Sequence, residues 1–158
     1  GVRELLEFTG YPGMKILSFA FNGETGNLYL PERINSNSVC YTGTHDNDTL
    51  LGLIEGASEW DYNNLIKGVN NSLAHFKIRK RAVDNSSLLA RIIELGFTCK
   101  ANWFIIPMQD ALGLNTDYRI NEPGSVKEQN WAVRLEKKHF KKSVASRLAI
   151  LTEKSCRI

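Results

Sequence analysis

No apolar run in this sequence approaches the roughly 20 residues a membrane-crossing helix needs, and its start lacks the charged, then apolar, then small-residue order of a secretory leader. Cysteine is scarce: Cys40, Cys99 and Cys156 are odd in number and far apart, and no two have the spacing of a metal knuckle or a redox motif. They read as reduced, mostly buried thiols. An excess of one charge is also missing, with a net +3 over 158 residues of which 23% are charged, so composition calls for neither nucleic acid nor an anionic membrane as partner. There is no G-x-S-x-G, and hence no serine at a sharp strand-to-helix turn. Internal repeats and low-complexity tracts are absent too. What remains is a chain with 42% hydrophobic residues, enough for the core of one globular domain, expected in the cytoplasm or an organelle lumen.

The chain opens on Gly1, and Val2, Leu5 and Leu6 followed by Gly10 read as the end of a helix begun upstream, so a longer protein is expected. After a turn at Tyr11 to Gly13, the run Met14 to Phe21 (MKILSFAF) suits a strand buried on both faces, as in a parallel sheet. Asn22 to Asn37 has no period and reads as a long connection, a kind of segment that commonly carries function. Ser38 to Thr44 (SVCYTGT) is a second strand and Trp103 to Pro107 (WFIIP) a third. Between them lie helices that start after Thr49, at Ser58 and at Ser86, the last stopped by Gly96. Residues 115–130 are irregular, and Trp131 to Ile158 is expected to be helical with one basic face. This order is the grammar of an α/β fold with a parallel sheet.

Reactive groups in parallel α/β folds gather past the carboxyl ends of the strands. Two strands here end in polar clusters: His45, Asp46, Asn47 and Asp48 after the second, Gln109 and Asp110 after the third. Helix capping suffices for Asp48 and Thr49, while Asp110 is either a cap of the segment ALGL or part of a site. His45 and Asp46 leave three readings open. A metal centre would join them to Asp48, but it needs further ligands, and His75 and His139 lie in polar segments elsewhere. A catalytic triad lacks its nucleophile. Carbohydrate chemistry would use carboxylates to stabilise an oxocarbenium-like transition state, with His, Asn and Gln bonding sugar hydroxyls. Loop aromatics such as Tyr29 and Trp60 would then stack on pyranose rings, or else lie half-buried against the sheet. The basic runs Lys77 to Arg81 and Lys137 to Lys142 read as solvated helix faces rather than phosphate contacts.

The blocks PGMKILSFAF, YLP, YTGTHDNDT, IIPMQDALGL, RINEPG, and NW with RL run in that order from Gly1 to about Leu135. Together they resemble the C-terminal part of the 4-α-glucanotransferase family, glycoside hydrolase family 77, also called amylomaltases or disproportionating enzymes. THDND beside PGMK and IIPMQD is the specific combination. The resemblance implies an α/β fold that is the C-terminal part of a (β/α)8 TIM-type barrel of the α-amylase superfamily, incomplete as given. Residues 1–158 would supply strands 6 to 8 and the following helices of the catalytic barrel domain.

It further implies transfer of α-1,4-glucan segments between maltooligosaccharides with retention of configuration, with no metal or organic cofactor, in the cytoplasm or a plastid. Neither nucleic acid nor a membrane is an implied partner. Retention calls for a nucleophilic aspartate and an acid/base glutamate acting through a covalent glycosyl-enzyme. In the family these follow the fourth and fifth strands, so the missing N-terminal part of the same barrel is the implied partner, and the isolated chain is expected to be inactive. By resemblance Asp46, at the end of the seventh strand, is the third carboxylate, which stabilises the transition state by gripping sugar hydroxyls. His45 resembles the histidine that assists it, and Asn47, Tyr29, Gln109 and Asp110 are expected to contact the substrate. The alternatives are an inactive carbohydrate-binding remnant and a metal-dependent hydrolase using His45, Asp46 and Asp48. Four places depart from the family pattern: Ser18 for a glutamine, Glu32-Arg33-Ile34 for a His-Asn-Tyr-like stretch, and Leu53 and Val133 for tryptophans.

Overall fold

In the computed structural model, which describes residues 1–157, the first helical pattern becomes α1 (Val2–Thr9), ended by Gly10 at a left-handed φ of 69°. Then follow β1 (Gly13–Ile16), β2 (Ser38–Tyr41), the helices α2 (Leu50–Glu55), α3 (Glu59–His75) and α4 (Asn85–Thr98), β3 (Trp103–Ile105), α5 (Met108–Leu112) and α6 (Lys142–Lys154). The strands form one parallel sheet in the order β1-β2-β3, with Gly13 opposite Ser38 and Val39 opposite Trp103. Among the described residues no helix is long and apolar enough to cross a membrane.

Each strand is shorter than its apolar run. MKILSFAF leaves the ladder after Ile16 and turns through a 3-10 turn at Leu17–Phe19, where the Ala20 N–H bonds the Leu17 carbonyl. WFIIP pairs only as far as Ile105, and Pro107 has no N–H to extend the ladder. Nor are the strands buried on both faces. Paired residues of a parallel sheet point the same way, so Lys15, Cys40 and Phe104 share one face, while Met14, Val39 and Trp103, then Ile16, Tyr41 and Ile105, share the other. Cys40 is fully buried under the helices, whereas Met14 is 52% and Trp103 68% exposed, because no described residue covers their side.

The helices are cut by local chemistry. Ser58 caps α3 by accepting the Asp61 N–H, and the apolar stripe Leu65, Val69 and Leu73 turns inward. Helix α4 begins at Asn85, one residue before the expected start, because Asp84 accepts the Ser87 N–H at 2.7 Å. Its stripe Leu88, Leu89, Ile92, Ile93 and Leu95 is the centre of the core. Gly96 does not stop this helix. It lies inside it, where an added Cβ would sit 2.1 Å from the Phe104 ring. The end is closed instead by Arg157, whose guanidinium donates to the carbonyls of Phe97, Cys99 and Ala101 at 2.6–2.8 Å. A hydrogen bond from Cys40 holds the Cys99 thiol down to about 7 against its own burial, with Arg157 assisting, and the same bond pushes the Cys40 thiol up. Cys40 and Cys99 are buried as expected, and Cys156 is exposed.

The expected helix over Trp131 to Ile158 is reduced to α6, preceded by irregular chain and a 3-10 turn at Lys137–His139. Trp131 itself has φ 63°, which breaks any helix passing through it. Ile158, the last residue of that expectation, lies outside the described residues. Both basic runs are exposed at their charged residues; Lys77 to Arg81 is no helix face, since residues 77–83 connect α3 to α4 as irregular chain, and Lys137 to Lys142 spans a 3-10 turn and only the first residue of α6.

Asp110 on α5 ties these parts together. It is 2% exposed, its Oδ2 accepts the Thr42 hydroxyl at the end of β2, and its Oδ1 accepts the Leu50 N–H at the start of α2 at 2.7 Å. It is therefore no cap of ALGL but a cap of α2, supplied from across the fold. Burial pushes this carboxyl above the ordinary range, opposed by the Leu50 N–H and the Thr42 hydroxyl and reinforced by nearby Asp48.

Two predictions follow from this packing. Gly96→Ala is expected to cost about 1–3 kcal/mol by overpacking against Phe104, beyond the roughly 1 kcal/mol that alanine gains in a helix; an unshifted urea midpoint would contradict it. For Asp110, a folded pKa raised above the ordinary 3.8 means that the folded state holds the proton more tightly. Stability is then gained as pH falls through the folded value and lost as pH rises through it. Relative to Asp110→Asn, which keeps an acceptor for Leu50, the unsubstituted protein should gain stability as pH is lowered from 7 towards 4. Asp110→Ala should cost about 1–3 kcal/mol by orphaning the Leu50 N–H. Urea titrations at several pH values check both, and a pH-independent difference between protein and Asn variant would refute the assignment.

Candidate active site

Past β2 the chain folds on its own short polar side chains. The Asn47 side-chain oxygen accepts the N–H and hydroxyl of Thr44, both at 2.8 Å, the Thr44 hydroxyl oxygen accepts the Asp46 N–H at 3.3 Å, and the Asn47 N–H returns to the Thr44 carbonyl at 3.2 Å. This turn points His45 and Asp46 outward, with side chains 53% and 47% exposed and His45 Nε2 3.3 Å from Asp46 Oδ1. Asp48 goes the other way, accepting the Thr49 N–H at 2.7 Å and the Thr116 hydroxyl at 2.9 Å. Thr49 caps α2 by accepting the Gly52 N–H at 3.0 Å. Gly52 is required there, since a Cβ would lie 2.3 Å from Thr116 Oγ1 and 2.6 Å from Asp48 Oδ1.

A second segment, Thr116 to Trp131, closes over this loop. Arg119 donates through Nη2 to the Asp46 carbonyl and through Nε to the Asn121 carbonyl, each at 2.9 Å. The Asn121 N–H bonds the His45 carbonyl at 3.1 Å, and its Nδ2 donates to Asp46 Oδ1 at 2.7 Å. Asp46 Oδ2 has no partner among the described residues. The Trp131 N–H bonds the Ile120 carbonyl at 2.7 Å and closes the loop at its base, with its ring 5.1 Å from that of His45 at a 39° tilt. Its φ of 63° is a conformation that costs a non-glycine residue about 1–3 kcal/mol. Sequence reasoning picked RINEPG and NW as family blocks but gave Arg119, Asn121 and Trp131 no role. Their only signal was the resemblance, because the contacts they make reach back past 70 residues.

The other expected site residues lie differently. Asn47 uses its carbonyl oxygen to build the turn. Gln109 and Asp110 are buried and line a cavity of only about 10 Å³ with Asp48 and Tyr118, room for one water and not for a sugar. Tyr29 packs edge-on to Phe19 at 5.9 Å with the Lys15 ammonium 5.6 Å from its ring, and no hydrogen bond or ring contact joins it to His45 or Asp46. Trp60 is 67% exposed in the first turn of α3. No three His, Cys, Asp or Glu side chains converge as a metal site among the described residues, because Asp48 faces Thr116 instead of joining His45 and Asp46. Of the departures from the family pattern, Glu32 accepts the Ser72 hydroxyl, Arg33 donates to the Thr25 carbonyl and Ile34 is buried, so this triplet fastens its own loop. Ser18 and Leu53 line one cavity of about 290 Å³, into which no described group satisfies the buried Ser18 hydroxyl.

Known proteins resemble this chain in sequence and in fold. A family model described as 4-alpha-glucanotransferase matches residues 1–140. The 4-alpha-glucanotransferase of Clostridium butyricum is 36% identical over 153 residues, 95% of this chain and 29% of that protein. The chloroplastic/amyloplastic enzyme of Solanum tuberosum is 36% identical over 124 residues, 78% of this chain and 19% of its own length. The amylomaltase of Streptococcus agalactiae, solved in complex with acarbose, superposes with a TM-score of 0.82 at 27% identity, covering 99% of this chain and 29% of that one. The chain thus spans under a third of the length of these relatives, and with this match to sequence and structure it belongs to the 4-alpha-glucanotransferase family.

Proposed function

We propose that residues 1–158 act as the C-terminal portion, strands 6 to 8, of a (β/α)8 catalytic barrel that transfers α-1,4-glucan segments between maltooligosaccharides with retention of configuration, in the cytoplasm or a plastid. The observation that carries this reading is the Asp46 carboxylate. It stands half-exposed at the carboxyl end of the middle strand, with Oδ1 occupied by Asn121 and His45 and Oδ2 open. A carboxylate so held accepts sugar hydroxyls with one oxygen and keeps its charge near a developing oxocarbenium ion.

Asp46 cannot complete double displacement, which needs a nucleophile and an acid/base about 5 Å apart. By the family resemblance both belong to the rest of the barrel, and this chain covers 29% of the length of two of its relatives. The open apolar face of the sheet supports that assignment, since parallel strands are ordinarily covered on both sides and a closed barrel of this kind takes roughly 250 residues. His45 assists Asp46 at the same sugar.

In the full-length protein, Asp46→Asn is expected to lower kcat at least about 10²- to 10³-fold in maltotriose disproportionation while changing KM little, because the lost charge acts in the transition state. An unchanged kcat would sink the role of Asp46. Glucan binding with no turnover in the unsubstituted full-length protein would replace it with the carbohydrate-binding reading.

A further inference from the structure

Resting on that reading of the site, we propose that Trp131 is the stacking platform for a pyranose ring adjacent to the sugar held by Asp46, and so a specificity-determining residue of the site. At φ 63° Trp131 occupies the left-handed region that glycine enters freely and a bulky side chain avoids. The loop from Ile120 to Trp131 needs that conformation, because the Trp131 N–H closes it on the Ile120 carbonyl and the next N–H, of Ala132, returns to Gln129. Glycine would make both bonds equally well. The loop therefore accounts for the backbone but not for the indole.

Burial does not account for it either, since Trp131 is 65% exposed. The ring lies beside the His45 imidazole, with centroids 5.1 Å apart, and His45 lies 3.3 Å from Asp46 Oδ1. An indole with much of its surface open, beside an imidazole and a carboxylate with a free oxygen, fits one class of ligand. A pyranose has apolar C–H faces that lie on an aromatic ring and an equatorial rim of hydroxyls for Asp46 and His45. Asn121 and Arg119 hold the His45 and Asp46 backbone to the same loop, so ring and carboxylate keep their spacing.

The test uses the full-length protein with Trp131→Gly and Trp131→Phe. Glycine removes the ring and relieves the left-handed strain, so Trp131→Gly is expected to melt at the same or a higher temperature yet raise KM for maltooligosaccharides about two- to twelvefold, the worth of an aromatic contact. Trp131→Phe keeps an aromatic face and should stay closer to the unsubstituted protein. Adding maltotriose to the full-length protein should also change its indole emission, and Trp131→Phe should make that change smaller. A lowered melting temperature with unchanged KM in the glycine variant would overturn the proposal, as would an emission change of undiminished size in the phenylalanine variant. Those outcomes leave the role of Asp46 standing if Asp46→Asn still lowers kcat, whereas an unsubstituted protein that neither binds nor turns over maltooligosaccharide overturns both.

Discussion

Both ends of the loop that carries His45 and Asp46 are fastened to one buried carboxylate. Asp110 takes the Thr42 hydroxyl where β2 stops and the Leu50 N–H where α2 begins. Burying a carboxylate is costly unless donors replace the lost water, and one of the two donors here belongs to the first turn of a helix, where the unpaired N–H groups favour negative charge. With six residues, α2 is too short to hold its own shape in water. Its place relative to β2 comes from this bridge and from Leu50 and Ile54, which are sunk in the core. The tip of the loop can therefore present charged groups to solvent while its base stays rigid.

The base is only one of two grips. From the other side Thr116 holds Asp48, Arg119 holds the Asp46 carbonyl, and Asn121 holds both the His45 carbonyl and Asp46 Oδ1. Each contact restricts a different part of the loop, and together they leave Asp46 Oδ2 without a partner among the described residues. That is what preorganisation means at the atomic level: a polar group aimed before the ligand arrives, with no reorganisation left to oppose binding. Gly52 permits the arrangement, since any side chain there would push Thr116 and Asp48 apart.

The parts of this structure that were legible in the sequence are those decided within a few residues. Thr49 and Ser58 cap helices because a hydroxyl reaches an N–H three positions on, and the α4 stripe follows from helical spacing. The strands were located but overdrawn, because an apolar run does not reveal which face will find a covering partner or where a 3-10 turn will end the ladder. Gly96 was misread for a related reason: its meaning lies in the Phe104 ring, which the next strand brings against it. In the candidate site, the polar cluster past β2 was legible from its place after a strand, but the inward turn of Asp110 and the hold of Asn121 on Asp46 were not. Those depend on contacts 60 and 75 residues apart, and no local pattern encodes them.

The open face of the sheet and the open oxygen of Asp46 make the same demand. Met14, Trp103 and Ile105 stand on a side that no described residue covers, and β1 and β3 each keep one unpaired edge. In the proposed barrel, further strands pair at those edges in the parallel sense, as β1 and β3 already pair with β2. Parallel pairing leaves them no choice of direction, so their carboxyl ends arrive at the rim where β2 delivers His45 and Asp46. Covering the apolar face and bringing a nucleophile and an acid/base to the Asp46 carboxylate are then one geometric event. Helices laid on that face would cover it as well, but they would bring no strand end to the rim.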